Sequence, residues 1–322
     1  MYQFEGKTDP YVFTPQALTL ADDAFHSSTS LQFTEWWYFD AVLHNGYSVQ
    51  FSVRVLSGLK LSLVFVRFDM YKDGHLMVHK TKMHLLRDVK LSRETPHIQV
   101  AGKQIMNGTL DKKTGDFIYN ISLTIDELTA SLQFIGCSKG WKGQHYGGDW
   151  WAVVLPQAMV SGSVIINDER IDVQGTGYHD HNWDVQIFAL KNLGWFWGKL
   201  NSETYSMNWA AIMKTRSCIQ PVLIINEKHK GYIPIQPKNI DLQLGDVRRE
   251  NGKSIPHRFS IDAEGEQVVF HVSMKTIDTH FVRIFPFMRY WRYHLQCTGS
   301  ITVGAKQEPI NNVFIAEFLK IR

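Results

Sequence analysis

The ten residues Gly175 to Asp184, GTGYHDHNWD, place two histidines around an aspartate, with a tyrosine before them and an asparagine and a tryptophan after. On a strand, residues two apart share a face, so His179 and His181 present two imidazoles to one side. Such a pair can begin a zinc or copper site. No third ligand is evident: HExxH is absent, and His79, His84, His97, His145, His257, His271, His280 and His294 are dispersed. The better reading is that the two histidines hydrogen-bond, either burying a strand crossing or orienting the aspartate, and no metal is assigned. Asp180 points the other way, with Tyr178 and Asn182. A carboxyl held among aromatic rings is desolvated and keeps its proton more tightly, which makes a general acid. In an apolar pocket such an acid can protonate an alkene, because aromatic faces stabilise the cation while bulk water is kept out. An aspartate that caps a turn or pairs with an arginine reads equally well from the residues alone.

Aromatic residues make up 13% of the chain, with 10 tryptophans, and they cluster. Glu35-Trp36-Trp37-Tyr38-Phe39-Asp40 would put Glu35 and Trp37 on one face of a strand and Trp36, Tyr38 and Asp40 on the other. Asp149-Trp150-Trp151 and Trp195-Phe196-Trp197 repeat the theme. Broad rigid surface of this kind packs cores and also lines pockets for large apolar ligands. The substrate-contacting candidates are therefore Glu35, Trp37, Tyr38, Trp151, Tyr178, Asn182, Trp183, Trp195 and Trp197, around Asp180, His179 and His181 as the catalytic candidates. Near the C-terminus, Arg289, Trp291 and Tyr293 alternate with Tyr290, Arg292 and His294. That pattern reads as a barrel wall whose arginines reach solvent.

These residues need strands to position them, and the hydrophobic pattern supplies strands. In Ser48 to Val55, Val49, Phe51, Val53 and Val55 fall on one face, the mark of a half-buried antiparallel strand. Turns are expected at Asp73-Gly74, Asp126-Glu127, Asn167-Asp168 and Glu264-Gly265. Short, regular strands with polar turns predict an all-β sandwich or barrel, with one short helix between Pro15 and Phe25. At 322 residues two domains are expected, with the boundary between Val185 and Asn192.

Other classes lose support. Lys and Arg total 34 against 31 Asp and Glu, interspersed rather than striped, so no nucleic-acid surface is expected. The three cysteines are far apart, which argues against a disulfide framework or a thiolate zinc site. No nucleophile elbow, P-loop or dinucleotide fingerprint occurs, and no cofactor is expected. The N-terminus lacks a basic region followed by an apolar core, and no apolar run approaches a membrane span, so a cytoplasmic location is expected.

EWWYFDA at 35–41, GYHDHNW at 177–183 and WFWGKL at 195–200 resemble, in order and spacing, the carotenoid 1,2-hydratase (hydroxyneurosporene synthase, CrtC/AttH-like) family. The resemblance implies two tandem lipocalin-like antiparallel β-barrel domains, over 1–187 and 188–322, with the histidine motif near their junction and an apolar ligand site in or between the barrels. It further implies proton-initiated chemistry on a hydrophobic isoprenoid or polyene by a hydratase, terpenoid cyclase or isomerase, with Asp180 as proton donor, and transient membrane contact for substrate uptake. Other relatives are Diels-Alderase-like pericyclases, and a non-catalytic carrier of an apolar metabolite is the alternative from a different class. The family string continues with glycine where this chain has Asp184, a difference expected either to alter the local backbone or to add a second acid beside the motif.

Overall fold

Val49, Phe51, Val53 and Val55 behave as their alternation requires: each is buried, on the strand Tyr47–Ser57. The computed structural model describes residues 7–9, 11–28, 32–58, 61–145, 147–185, 193–215, 218–228, 230–285 and 288–321. Strands dominate them, and the turns form where polar residues accept a left-handed backbone. Asp73 and Gly74 have φ of 51° and 88°, and Asn167 and Asp168 have 49° and 68°. Two successive left-handed residues make the two-residue turn whose twist matches the strands it joins. Asp126, at φ 52°, reverses the chain between Phe117–Ile125 and Leu128–Gly136.

The chain forms two compact units, Pro15–Ala189 and Leu190–Arg322, the second including Met1–Thr14. The expected junction at 187/188 lies outside the described residues. Most of the described strands form two curled, largely antiparallel sheets, a near-barrel and a half-barrel, as in lipocalin-like folds, and Arg248–Glu250 pairs with Lys253–Ile255 as a separate two-stranded sheet.

In the Pro15–Ala189 unit the main run of the sheet is His75–Leu85, Ser62–Lys72, Tyr47–Ser57, Phe33–Leu43, Glu169–Val185, Trp150–Ile166, Leu128–Gly136, Phe117–Ile125, Lys103–Leu110, His97–Val100 and Val89–Leu91. Most adjacent strands of this run are close in sequence, whereas Phe33–Leu43 pairs with Glu169–Val185 far along the chain. That long-range pairing joins the two aromatic motifs. Its register sets Trp37 opposite His181, Tyr38 opposite Asp180 and Asp40 opposite Tyr178. The curl brings the outer strand to the far hairpin, where Lys80 Nζ lies 2.6 Å from Glu127 Oε1. One set of alternate residues, including Trp37, Phe39, Phe51, Phe68, Phe134 and Trp183, forms the buried interior.

The helix expected between Pro15 and Phe25 shrinks to a single 3-10 turn, Leu20–Asp23, preceded by a two-residue strand, Gln16–Ala17. Asp22 explains the turn's start, since its carboxylate accepts from both the backbone N–H and the hydroxyl of Thr19, each at 2.8 Å. The next residue, Asp23, is fully buried, so the chain leaves the helical path to deliver a side chain inward.

The second unit has the order Lys7–Thr8, Cys218–Glu227, Tyr205–Thr215, Gly194–Asn201, Lys306–Ile321, Met288–Val303, Val268–Phe285, Arg258–Glu264 and Ile240–Gly245, with Gly231–Pro234 also on Cys218–Glu227. Lys7–Thr8 pairs in parallel, the others antiparallel. One expectation fails here. Arg292 does not reach solvent but is fully buried, with Nη1 3.2 Å from Glu317 Oε1 on the adjacent strand. A carboxylate opposite in the sheet supplies the partner a buried guanidinium requires. No helix among the described residues is long and apolar enough to cross a membrane.

Candidate functional site

The pairing of Phe33–Leu43 with Glu169–Val185 carries two different chemistries on its two faces, because successive strand residues point to opposite sides.

The interior face holds His179, His181 and Glu35, joined by Asp23 from the 3-10 turn, all buried. His179 has Nδ1 3.0 Å from the Tyr38 carbonyl and Nε2 3.0 Å from Asp23 Oδ2. His181 lies between two carboxylates, with Nδ1 3.1 Å from Asp23 Oδ1 and Nε2 3.0 Å from Glu35 Oε1. The Tyr119 hydroxyl donates to Asp23 Oδ2 at 2.6 Å, and Trp37 Nε1 donates to the Asp23 carbonyl at 2.9 Å. Rings enclose the network: Phe39 stacks on His179 at 3.7 Å between centroids and Trp37 on His181 at 4.4 Å. Burial opposes a charge on His181, but its hydrogen bonds to Asp23 and Glu35 outweigh it and lift the imidazole to about 9. Burial would likewise raise Asp23, yet the charges and hydrogen bonds of His179 and His181 hold it well below the usual carboxylate range. Glu35 is lowered against its burial by His181 and His26. Tyr119 is pushed well above the ordinary phenol by burial and by the Asp23 charge. The network is a set of mutually compensated buried charges, the arrangement that makes such groups tolerable.

The opposite face carries Asp180. Tyr178 donates its hydroxyl to Asp180 Oδ2 at 2.9 Å, and Asn182 Nδ2 donates to Oδ1 at 3.0 Å. One strand over, Tyr38 donates to Asp40 Oδ2 at 2.7 Å. Asp180 is opposite Tyr38 and Asp40 is opposite Tyr178, so the two carboxyls occupy diagonal positions, with the tyrosine rings edge to face at 6.3 Å. All four residues are buried. The polar row continues across the sheet through Gln50, Asp69 and His79. Asp69 is bonded to Arg67, to His79 Nδ1 at 2.7 Å and to the Tyr71 hydroxyl at 3.2 Å. Trp36 and Trp151 flank Asn182 in register, and Arg54 sits over the Trp36 ring at 5.0 Å.

Tyr38, Tyr178, Asn182 and Trp151 thus share the face of Asp180. His179, His181, Glu35, Trp37 and Trp183 do not. The expectation that a histidine of the motif orients or recharges Asp180 is therefore corrected: the ring nitrogens of both are engaged with Asp23, Glu35 and the Tyr38 carbonyl on the other side of the sheet. Trp183 stacks instead on His26, with centroids 4.0 Å apart and planes within 1°.

Trp195 and Trp197 lie on Gly194–Asn201 in the second unit. Trp197 Nε1 donates to Glu317 Oε2 at 3.2 Å, and Glu317 Oε1 also accepts from the Tyr290 hydroxyl at 2.5 Å. Lys199, two residues on, is buried, and burial together with the Arg292 charge pulls its ammonium well below the ordinary lysine value.

Asp23, His26, Asp40 and Tyr119 were not among the sequence candidates. Asp40 had a signal, since it shares strand parity with Tyr38. Asp23 and His26 had none, being more than 150 residues from the histidine motif they meet.

No family model and no curated protein matches the chain. Solved structures do. A Nitrosomonas europaea protein described as AttH superposes with a TM-score of 0.68 at 14% identity, over 95% of this chain and 98% of its own. CghA gives 0.62 at 10% identity, over 90% and 88%. Kievitone hydratase from Nectria haematococca gives 0.56 at 14% identity, over 89% and 88%. At these identities the likeness is one of fold.

Proposed function

We propose that the protein is an enzyme that protonates a carbon–carbon double bond of a hydrophobic isoprenoid or polyene, with Asp180 as the proton donor. The observation that carries this reading is the pair of buried tyrosine–aspartate couples on one face: Tyr178 with Asp180 and Tyr38 with Asp40, one diagonal step apart. Both carboxyls are buried on one face of the sheet, one diagonal step apart, and the donor role requires that Asp180 carry a proton there. The tyrosine and asparagine donors hold Asp180 in a fixed orientation, as a general acid requires.

In the reaction, the alkene π electrons take the Asp180 proton and leave a cation on the more substituted carbon. Water then adds through oxygen and returns a proton to the carboxylate, for a net gain of one water. Where a second double bond or the loss of a neighbouring proton intervenes, the product is a ring or an isomer of unchanged mass. The fold likeness to a kievitone hydratase supports hydration as the first outcome to seek. The aromatic surfaces of Tyr38, Tyr178, Trp36 and Trp151 beside Asp180 support an apolar substrate.

The test is mass spectrometry of polyprenyl and polyene candidates incubated in heavy water with wild type and with Asp180→Asn. A product heavier by one water, or an isomer, carrying deuterium at carbon with wild type and formed about 10²–10⁴-fold more slowly by the variant, is expected. Equal turnover by both would leave shape-based pericyclic chemistry. Recovery of every candidate unchanged from both would leave a carrier.

A further inference from the structure

The charge network on the interior face is flanked by a half-buried histidine. His26 follows the 3-10 turn, and its Nδ1 has no hydrogen-bond partner among the described residues, although its ring is fixed flat against Trp183. The nearest acceptor is Glu35 Oε1 at 3.5 Å, the same oxygen that faces His181 Nε2 at 3.0 Å. All three ligand atoms lie within 4.8 Å of one another.

We propose that His26 Nδ1, Glu35 Oε1 and His181 Nε2 hold a divalent cation of the zinc class. Tetrahedral zinc with ligands at about 2.0–2.2 Å requires donor atoms about 3.3–3.6 Å apart. Of the two edges through Glu35 Oε1, the one to His26 Nδ1, at 3.5 Å, lies within that separation and the one to His181 Nε2, at 3.0 Å, is a few tenths of an ångström short, so the carboxylate needs no large movement. Two imidazoles and a carboxylate are a donor set suited to zinc, and three protein ligands leave a coordination position for water.

The surroundings favour a metal over a plain ion pair in two further ways. Asp23 Oδ1 stands 3.1 Å from His181 Nδ1, on the far side of the ring from the proposed cation. A carboxylate there favours the tautomer with Nδ1 protonated and Nε2 free to ligate, the arrangement of carboxylate–histidine–zinc sites. The backbone N–H of His26 donates to Glu35 Oε1 at 2.9 Å, which orients the oxygen that both imidazoles face. Cation binding displaces the proton between His181 Nε2 and Glu35 to solvent and leaves the Asp23 contact in place. The cation would fasten the segment after the 3-10 turn to the two strands of the aromatic motifs. It sits on the opposite face from Asp180 and does not depend on the proposed reaction.

The experiment uses the whole chain, freed of metal by chelator and then titrated with Co²⁺ at pH 8, with Zn²⁺ as competitor. The variant is His26→Phe, which keeps a flat ring over Trp183 and removes the ligand nitrogen. Wild type is expected to bind one equivalent with ligand-field absorption in the visible, lost on adding Zn²⁺, and its thermal midpoint should rise with Zn²⁺ concentration. His26→Phe, with an unchanged circular dichroism spectrum, should bind about 100-fold or more weakly. Substoichiometric binding by wild type, or equal binding by the variant, would overturn the site and leave His181 as a cation held by its two carboxylates.

Discussion

Replacing Asp23 by asparagine removes one negative charge from the interior of the Pro15–Ala189 unit while keeping the side chain's size. Three partners depend on that carboxylate: the Tyr119 hydroxyl and His179 Nε2 on Oδ2, at 2.6 and 3.0 Å, and His181 Nδ1 beside Oδ1, at 3.1 Å. Asparagine retains one acceptor and turns an NH₂ toward groups that need an acceptor, at a position with no solvent exposure. Removing one member of a buried ion pair costs about 3–5 kcal/mol, because the partner's charge is left uncompensated. Two histidines share the loss, but they share one carboxylate, so the two losses do not add. For a unit of this size each kcal/mol lowers the thermal midpoint by about 2–4 °C, giving a fall of about 6–20 °C. Tyr119→Phe is the internal control, since it deletes only a hydrogen bond to a charged group, worth about 1.5–3 kcal/mol. Urea titration and thermal scans at pH 7, read by tryptophan fluorescence, measure both. An Asp23→Asn protein within about 1 kcal/mol of wild type would refute the reading of this network as a compensated set of buried charges.

Gly177→Ala should lower stability by about 1–3 kcal/mol, because its Cβ would lie 2.4 Å from Val160 Cγ2 and 2.7 Å from the Phe134 ring. An unchanged urea midpoint would mean the interior has slack there. Asp184 has φ +56° at a register shift between Asn182 and Val185, so Asp184→Gly should relieve a left-handed backbone and stabilise by up to about 1 kcal/mol. A lower thermal midpoint would show that the aspartate side chain outweighs that strain. For Asp69, burial raises the carboxyl, but the His79 hydrogen bond and the charge and hydrogen bonds of Arg67 outweigh it and hold it below the usual range. A carboxyl whose folded pKa lies below its unfolded value of about 3.9 stabilises fully above that value and loses the contribution as pH falls below it. The gap in urea midpoint between wild type and Asp69→Asn should therefore be widest above about pH 5 and close toward pH 2. A gap independent of pH would contradict the sign.

Strand parity made much of this legible beforehand. Because GYHDHNW reads as a strand, the separation of Asp180 from His179 and His181 could be stated from position alone, as could the split of Glu35 and Trp37 from Tyr38 and Asp40. Parity does not say what lies across each face. Asp23 is 156 positions from His179, inside a stretch whose residues suit a helix, and nothing local marks it as a side chain the interior will claim. His26 is hidden for the same reason, so nothing local marks it as the neighbour of Glu35 and His181. Arg292 shows the converse failure. Its neighbours suggest an exposed wall, and only the register of the next strand, which sets Glu317 opposite, makes its burial affordable.

The pairing of Phe33–Leu43 with Glu169–Val185 also has a consequence for synthesis. Glu35 is made 146 residues before His181, its partner. At a ribosomal pace of about 5–20 residues per second, the first strand waits about 7–30 s for the second. During that interval one edge of a strongly apolar, aromatic strand has no neighbour, a template for pairing with another chain. Glu35 and Asp40 point to opposite sides of that strand, and a charge on each side is a deterrent to stacking against a stranger. The acids that later carry the interior network and the opposite face would serve first as guards of the nascent chain.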